Sequence, residues 1–119
     1  MQLEVFANPL VRARRPFPYV VALQSGVSVQ GRERIVAFLA PRSQVAPLVG
    51  RLTPIVEFAG KEFIVLMPWM TNVPASELRK PVADLASFRD RIVDALDWLF
   101  LDLKRRIFNH RRPERRGVR

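Results

Sequence analysis

Apolar residues recur at Phe88, Ile92, Leu96, Leu99, Leu103 and Ile107, in steps of three and four, with no Pro or Gly between them. This spacing predicts one long α-helix from Ser87 to Phe108, its apolar stripe widened by Val93, Ala95 and Phe100. Ser87 followed by Asp90 reads as a capping-box-like start, and Asp90 also sets a negative charge near the positive end of the helix dipole. Two residues break the pattern. At about 100° per residue, Trp98 and Leu101 fall on the opposite side, among Asp90, Asp94, Asp97 and Arg105. They lie one turn apart and are therefore neighbours. A Trp and a Leu paired on a polar flank predict a protein interface, with a second copy of the chain or with another partner.

Upstream the period changes from helical to alternating. Gln2 to Ala7 places Leu3, Val5 and Ala7 on one side and predicts a first strand. Asn8 to Pro18, with three prolines and the arginines Arg12, Arg14 and Arg15, predicts a loop, either a solvated one or one that contacts a phosphate or a partner. Tyr19 to Ser25 is a mostly apolar, central strand; Gly26 to Gly31 is a turn; Glu33 to Leu39 is a third strand. Ala40 to Gly50 is irregular, with room for one short helical turn. Pro54 to Ala59 and Lys61 to Met67 predict a hairpin around Ala59-Gly60, with Pro68 ending its second strand. Asn72 to Leu78 predicts a short edge strand, and Lys80 to Ala86 leads into the helix. Five or six strands followed by one helix predict an α+β domain, an antiparallel sheet with the helix packed on it.

A chain of 119 residues is a single domain with a real core. There is no cysteine, which excludes disulfides, thiolate metal sites and a cysteine nucleophile and fits a reducing cytoplasm. The N-terminus does not read as a signal peptide, and the longest apolar run, Phe63 to Met70, is broken by Pro68 and too short to span a bilayer. The net charge of +9 first suggests nucleic acid. Its distribution changes that picture. Residues 104–119 hold eight Lys/Arg against one Glu, whereas residues 1–103 hold twelve against ten Asp/Glu. The basicity belongs to the tail, and the body is nearly neutral.

Candidate chemistry is sparse. The only histidine, His110, lies in the basic tail, where general-base work would lack a fixed position. No Gly-rich phosphate loop, His-Glu-x-x-His or calcium-loop pattern occurs. Asp90, Asp94 and Asp97 read as a solvated helix flank near Arg91 and Arg105 rather than a metal site, and Arg32, Glu33 and Arg34 as an exposed strand or turn rather than a phosphodiesterase set. Pro68-Trp69-Met70 reads as an aromatic closing the edge of the core. No catalytic residue, metal or cofactor is expected.

Longer pieces carry a family resemblance. They are the Met-Gln-Leu-x-Val opening, Pro18-Tyr19-Val20-Val21 with Leu23-Gln24-Ser25, Arg34-Ile35-Val36, and Thr53-Pro54-Ile55-Val56. Phe63-Ile64-Val65-Leu66, Met70-Thr71-Asn72-Val73-Pro74, Pro81-Val82-Ala83-Asp84-Leu85, Phe88-Arg89 and Ala95-Leu96-Asp97-Trp98-Leu99 continue it. In their order and spacing, from Met1 to about Leu103, these pieces resemble the CcdB family of bacterial toxins. The resemblance implies a small antiparallel barrel-like sheet with one C-terminal helix, shared with MazF-type toxins, assembled as a homodimer. It further implies the toxin half of a toxin–antitoxin pair. Such a toxin binds the A subunit of DNA gyrase without catalysis and traps it on cleaved DNA. A labile cognate antitoxin removes it, and the two together repress their operon through operator DNA.

The chain also departs from the family. There the polypeptide ends just after the helix in a Trp-Gly-Ile-like or Thr-Gly-Ile-like terminus that contacts gyrase. Leu101, Asp102 and Leu103 stand at those positions here, and Lys104-Arg105-Arg106-Ile107-Phe108 continues the helix. Asp102 lacks the backbone freedom of Gly, which can stop a helix and admit a partner closely. The resemblance thus gives Trp98, Leu101, Asp102 and Leu103 as the gyrase contact, in a domain spanning 1–103. The extension 104–119, a helical continuation and then a disordered tail, offers Lys104, Arg105, Arg106, Arg111 and Arg112 to nucleic acid. The alternative is a fold relative with a changed target: a MazF-like ribonuclease, a tail-driven nucleic-acid binder, or an inert partner of a retained antitoxin.

Overall fold

Leu3 and Val5, Val21 and Leu23, Ala37 and Leu39, and Phe63, Val65 and Met67 are pairs and triples at alternate positions, and all of them meet in one core. The computed structural model describes residues 3–23, 33–45 and 50–117, with the side chains of 45 and 108–117 outside that description. The elements in order are β1 (Glu4–Ala7), β2 (Tyr19–Ala22), β3 (Glu33–Pro41), α1 (Arg42–Val45), β4 (Ile55–Phe58), β5 (Lys61–Pro74), β6 (Ala83–Asp84) and α2 (Arg89–Gly117). The strands form one antiparallel sheet in the order β4-β5-β3-β2-β1-β6, nearly closed into a barrel, with α2 as its single long helix. The expected α+β architecture is therefore the observed one. Gln2, Gln24, Ser25 and the expected turn from Gly26 to Gly31 lie outside the described residues, as do 46–49 of the irregular stretch, whose expected helical turn is α1.

Both faces of the sheet are covered. One face packs Leu3, Val5, Val21, Leu39 and Met67 against Leu85 just after β6 and against Ile92 and Ala95 of α2. The other gathers Phe6, Val20, Ala22, Val36, Val73 and Leu78. Burial on two sides explains why Val20, Val21 and Ala22 are consecutive and all apolar. The hairpin between β4 and β5 turns at Ala59 and Gly60, with φ of 54° and 74°. Both residues of a type I′ turn need positive φ, which Gly60 adopts freely.

Two strand expectations are corrected. Pro68 does not end β5, which continues to Pro74. The ladder with β3 shifts register here, from Phe38↔Leu66 to Val36↔Thr71, so Ala37 faces the whole stretch from Met67 to Met70. Pro68 sits inside this bulge, where the ladder demands no amide donor. The segment from Asn72 is not a separate strand reaching Leu78 but the end of β5. Asn72, Val73 and Pro74 pair with Ile35, Arg34 and Glu33 of β3, and Ala75–Glu77 form a 3-10 turn. The bulge also leaves Trp69 half exposed, its ring 6.1 Å from Phe17, which stacks on Phe38 at 5.2 Å.

The loop between β1 and β2 has an organiser that the sequence reading missed. Asn8 is the one buried polar residue among those described. Its Nδ2 donates to the Phe17 carbonyl at 2.7 Å and its Oδ1 accepts from the Leu10 amide at 2.9 Å. Arg14 Nε donates to the Asn8 carbonyl at 2.6 Å. Asn8→Ala strips both side-chain bonds from partly buried backbone groups, and the expected loss is about 2 kcal/mol in urea unfolding.

Candidate functional site

The start of α2 is fixed from the sheet side. Val82 and Leu85 amides donate to the Val5 and Leu3 carbonyls at 2.7 and 2.8 Å, which seats β6 beside β1. Asp84 Oδ1 then accepts from the Ala86 amide at 2.6 Å, and a 3-10 turn over Ala86–Phe88 leads into the helix. The capping-box reading of Ser87 with Asp90 is therefore corrected. Ser87 lies inside the 3-10 turn, and no side-chain cap bond is made there; Asp84 supplies the carboxylate. Its strand-end position lets it reach the orphan amide that a helix start leaves open.

Packing of α2 on the sheet ends early. Ile92 and Ala95 are fully buried, and Phe88, Val93, Leu96 and Leu99 are half-buried. Beyond them the apolar stripe runs past the sheet. Phe100 is 58% exposed, Leu101 49%, Leu103 50% and Ile107 53%. Leu101 and Leu103 line a shallow groove of about 360 Å³ with Phe100, Ile107, Asp97 and Lys104.

Trp98 is not among the residues lining that groove. It is 36% exposed and lies under Arg51, whose guanidinium carbon is 4.3 Å from the indole centroid. Arg51 Nε also pairs with Asp94 Oδ2 at 3.2 Å. One turn earlier, Arg91 Nη1 donates to the Ile55 carbonyl at 3.0 Å. Arg51 escaped the sequence reading because its partners come from a distant stretch of chain. The expected set thus divides into a Trp98 flank tied to Arg51 and a groove holding Leu101 and Leu103.

Asp102 is half-buried, and its Oδ2 pairs with Arg106 Nε at 3.1 Å across one helical turn. Asp102 is thus an ordinary helical residue bonded to the next turn. Lys104, Arg105 and Arg106 are exposed. Arg111 and Arg112 continue the helical backbone, and their side chains, like that of His110, lie outside the described residues.

A larger open cleft of about 950 Å³ is lined by Tyr19, Phe58 and Phe63 together with Arg42, Lys61 and Glu62. Arg42 and Glu62 pair across 2.8 Å. No histidine lines it. Arg34 stands in β3 opposite Val73, and Arg32 lies outside the described residues. Among the described residues no three His, Cys, Asp or Glu come together as metal ligands, and no helix is long and apolar enough to cross a membrane.

No curated protein matches the chain significantly. A family described as CcdB protein matches residues 2–101. That match spans the whole sheet and α2 as far as Leu101, within the stretch where the stripe leaves the sheet. The chain belongs to the CcdB family and is a CcdB-type toxin.

Proposed function

We propose that this toxin acts without catalysis, by binding the A subunit of DNA gyrase and trapping the gyrase–DNA cleavage complex. It works as a homodimer in the cytoplasm, where its target is, and a cognate antitoxin removes it and joins it on operator DNA. The carrying observation is the uncovered end of α2. Trp98, Leu101 and Leu103 are exposed there, and the resemblance to the family gives them to the gyrase contact. Large apolar groups held on a rigid helix and rimmed by charge are what a protein interface uses as anchors. Asp102 belongs to the same contact. The basic extension 104–119 adds salt-dependent affinity for the DNA held by gyrase, through Lys104, Arg105, Arg106, Arg111 and Arg112.

Gyrase cleavage assays test this reading, run with the full chain and with a chain ending at Leu103. The expected result is linear DNA from both, with the full chain more sensitive to added salt. Failure of both chains to stabilise cleaved DNA overturns it.

The second reading, a changed target, is favoured by Asp102. Its bond to Arg106 and the unbroken helix differ from a terminus that stops at glycine. If the extension binds nucleic acid on its own account, affinity falls linearly in log–log with salt, with a slope of about −0.9 per duplex phosphate neutralised. It then disappears on truncation at Leu103. Binding indifferent to salt and truncation excludes that reading. A ribonuclease is less favoured: the one carboxylate lining the cleft, Glu62, is paired with Arg42 at 2.8 Å, and no histidine lines the cleft beside it.

A further inference from the structure

Arg51 makes two contacts with one guanidinium. Its central carbon lies over the Trp98 ring, and its Nε bonds Asp94, which stands one helical turn before Trp98 on the same flank. The segment that carries Arg51 is itself held. The Thr53 amide donates to the Gly50 carbonyl at 3.1 Å, closing the turn, and the Ile55 carbonyl accepts from Arg91. The chain from Gly50 to Ile55 is thereby tied to α2 at residues 91, 94 and 98, on three successive turns.

We propose that Arg51 is a positioning residue for the partner contact made by Trp98. This rests on the reading of Trp98 as part of the gyrase contact. Arg51 covers one face of the indole and Asp94 fixes the guanidinium, so Trp98 presents its other face and its edge in a single orientation. A side chain already ordered in the free protein has less conformational entropy to lose on binding, and affinity rises accordingly. The geometry needs arginine. A planar guanidinium stacks on an indole and bonds a carboxylate together, whereas the lysine ammonium is a point charge on a flexible stem. The side chains of Arg51 and Asp94 are 60% and 50% exposed, so their ion pair contributes little to folding stability. Orientation is the effect left for the cluster to exert.

The test uses the full chain in a Trp69→Phe background, which leaves Trp98 as the only indole of the two in the sequence. Acrylamide quenching of Trp98 and affinity for purified gyrase A subunit are both measured. In Arg51→Ala, quenching rises and affinity falls roughly two- to fivefold. Arg51→Lys recovers less than half of that loss. The melting temperature moves by less than about 4 °C. Should Arg51→Ala not fold, Asp94→Asn gives the same readouts with Arg51 in place, and its quenching also rises. Unchanged quenching overturns the inference, as does unchanged affinity with altered quenching. A parent chain that does not bind gyrase overturns the proposed function together with the positioning role, whereas a parent that binds and a variant that binds equally overturn the positioning role alone.

Discussion

Ile92→Ala lowers the unfolding free energy by about 3 kcal/mol, the largest stability loss expected from truncating any one described side chain of α2 to alanine. Ile92 and Ala95 are the two fully buried side chains of α2 among the described residues, and Ile92 is much the larger. It shares a core cluster with Leu3 just before β1, Val5 in β1, Leu85 just after β6 and Met67 in β5. Removing three carbons there forfeits their burial and leaves a cavity that strands on a fixed ladder close poorly. The comparison is Ile107→Ala. Ile107 is 53% exposed on the same stripe, and its truncation shifts stability by no more than about 0.5 kcal/mol. Urea unfolding followed by circular dichroism measures both. Equal losses at the two positions would mean that the sheet, or a second copy, covers α2 well past Leu99.

That contrast also shows what the sequence can and cannot carry. The three- and four-residue period gave the face of α2 correctly, because a helix obeys its period wherever it lies. It gave no sign of where the sheet stops, so Phe100, Leu103 and Ile107 looked like the same stripe as Ile92 and are exposed instead. The strands were legible for a similar reason, since alternation survives wherever one face is buried. Pro68 misled because its meaning depends on the partner strand. In a regular ladder it would end β5, but the register shift opposite Ala37 makes room for it. The roles of Asp84 at the helix start and Asn8 in the loop turn on which backbone groups lie within reach, a matter of folded geometry rather than local pattern. The candidate site was legible as residue types at helical positions. Its division was not, because Arg51 reaches Trp98 and Asp94 across a tertiary contact.

Trp98→Ala weakens binding to gyrase A by about 2 kcal/mol or more, roughly a thirtyfold loss of affinity, and leaves the fold intact. An indole offers more contact area than any other side chain, and Trp98 lies under the Arg51 guanidinium while remaining 36% exposed, the arrangement of an anchor rather than of a core residue. Leu101→Ala tests the neighbouring turn. Leu101 lines the groove with Phe100, Leu103 and Ile107, so its loss reports on that groove as well as on the proposed gyrase contact. Ile107 lies in the groove but beyond the matched family region. A large loss at Trp98 and Leu101 with none at Ile107 confines the contact to the end of the family domain. A loss at Ile107 equal to that at Leu101, with Trp98 indifferent, moves the contact onto the groove and its basic extension. Collapse of the fold in Trp98→Ala, read by circular dichroism, would return Trp98 to the core and remove it from the interface altogether.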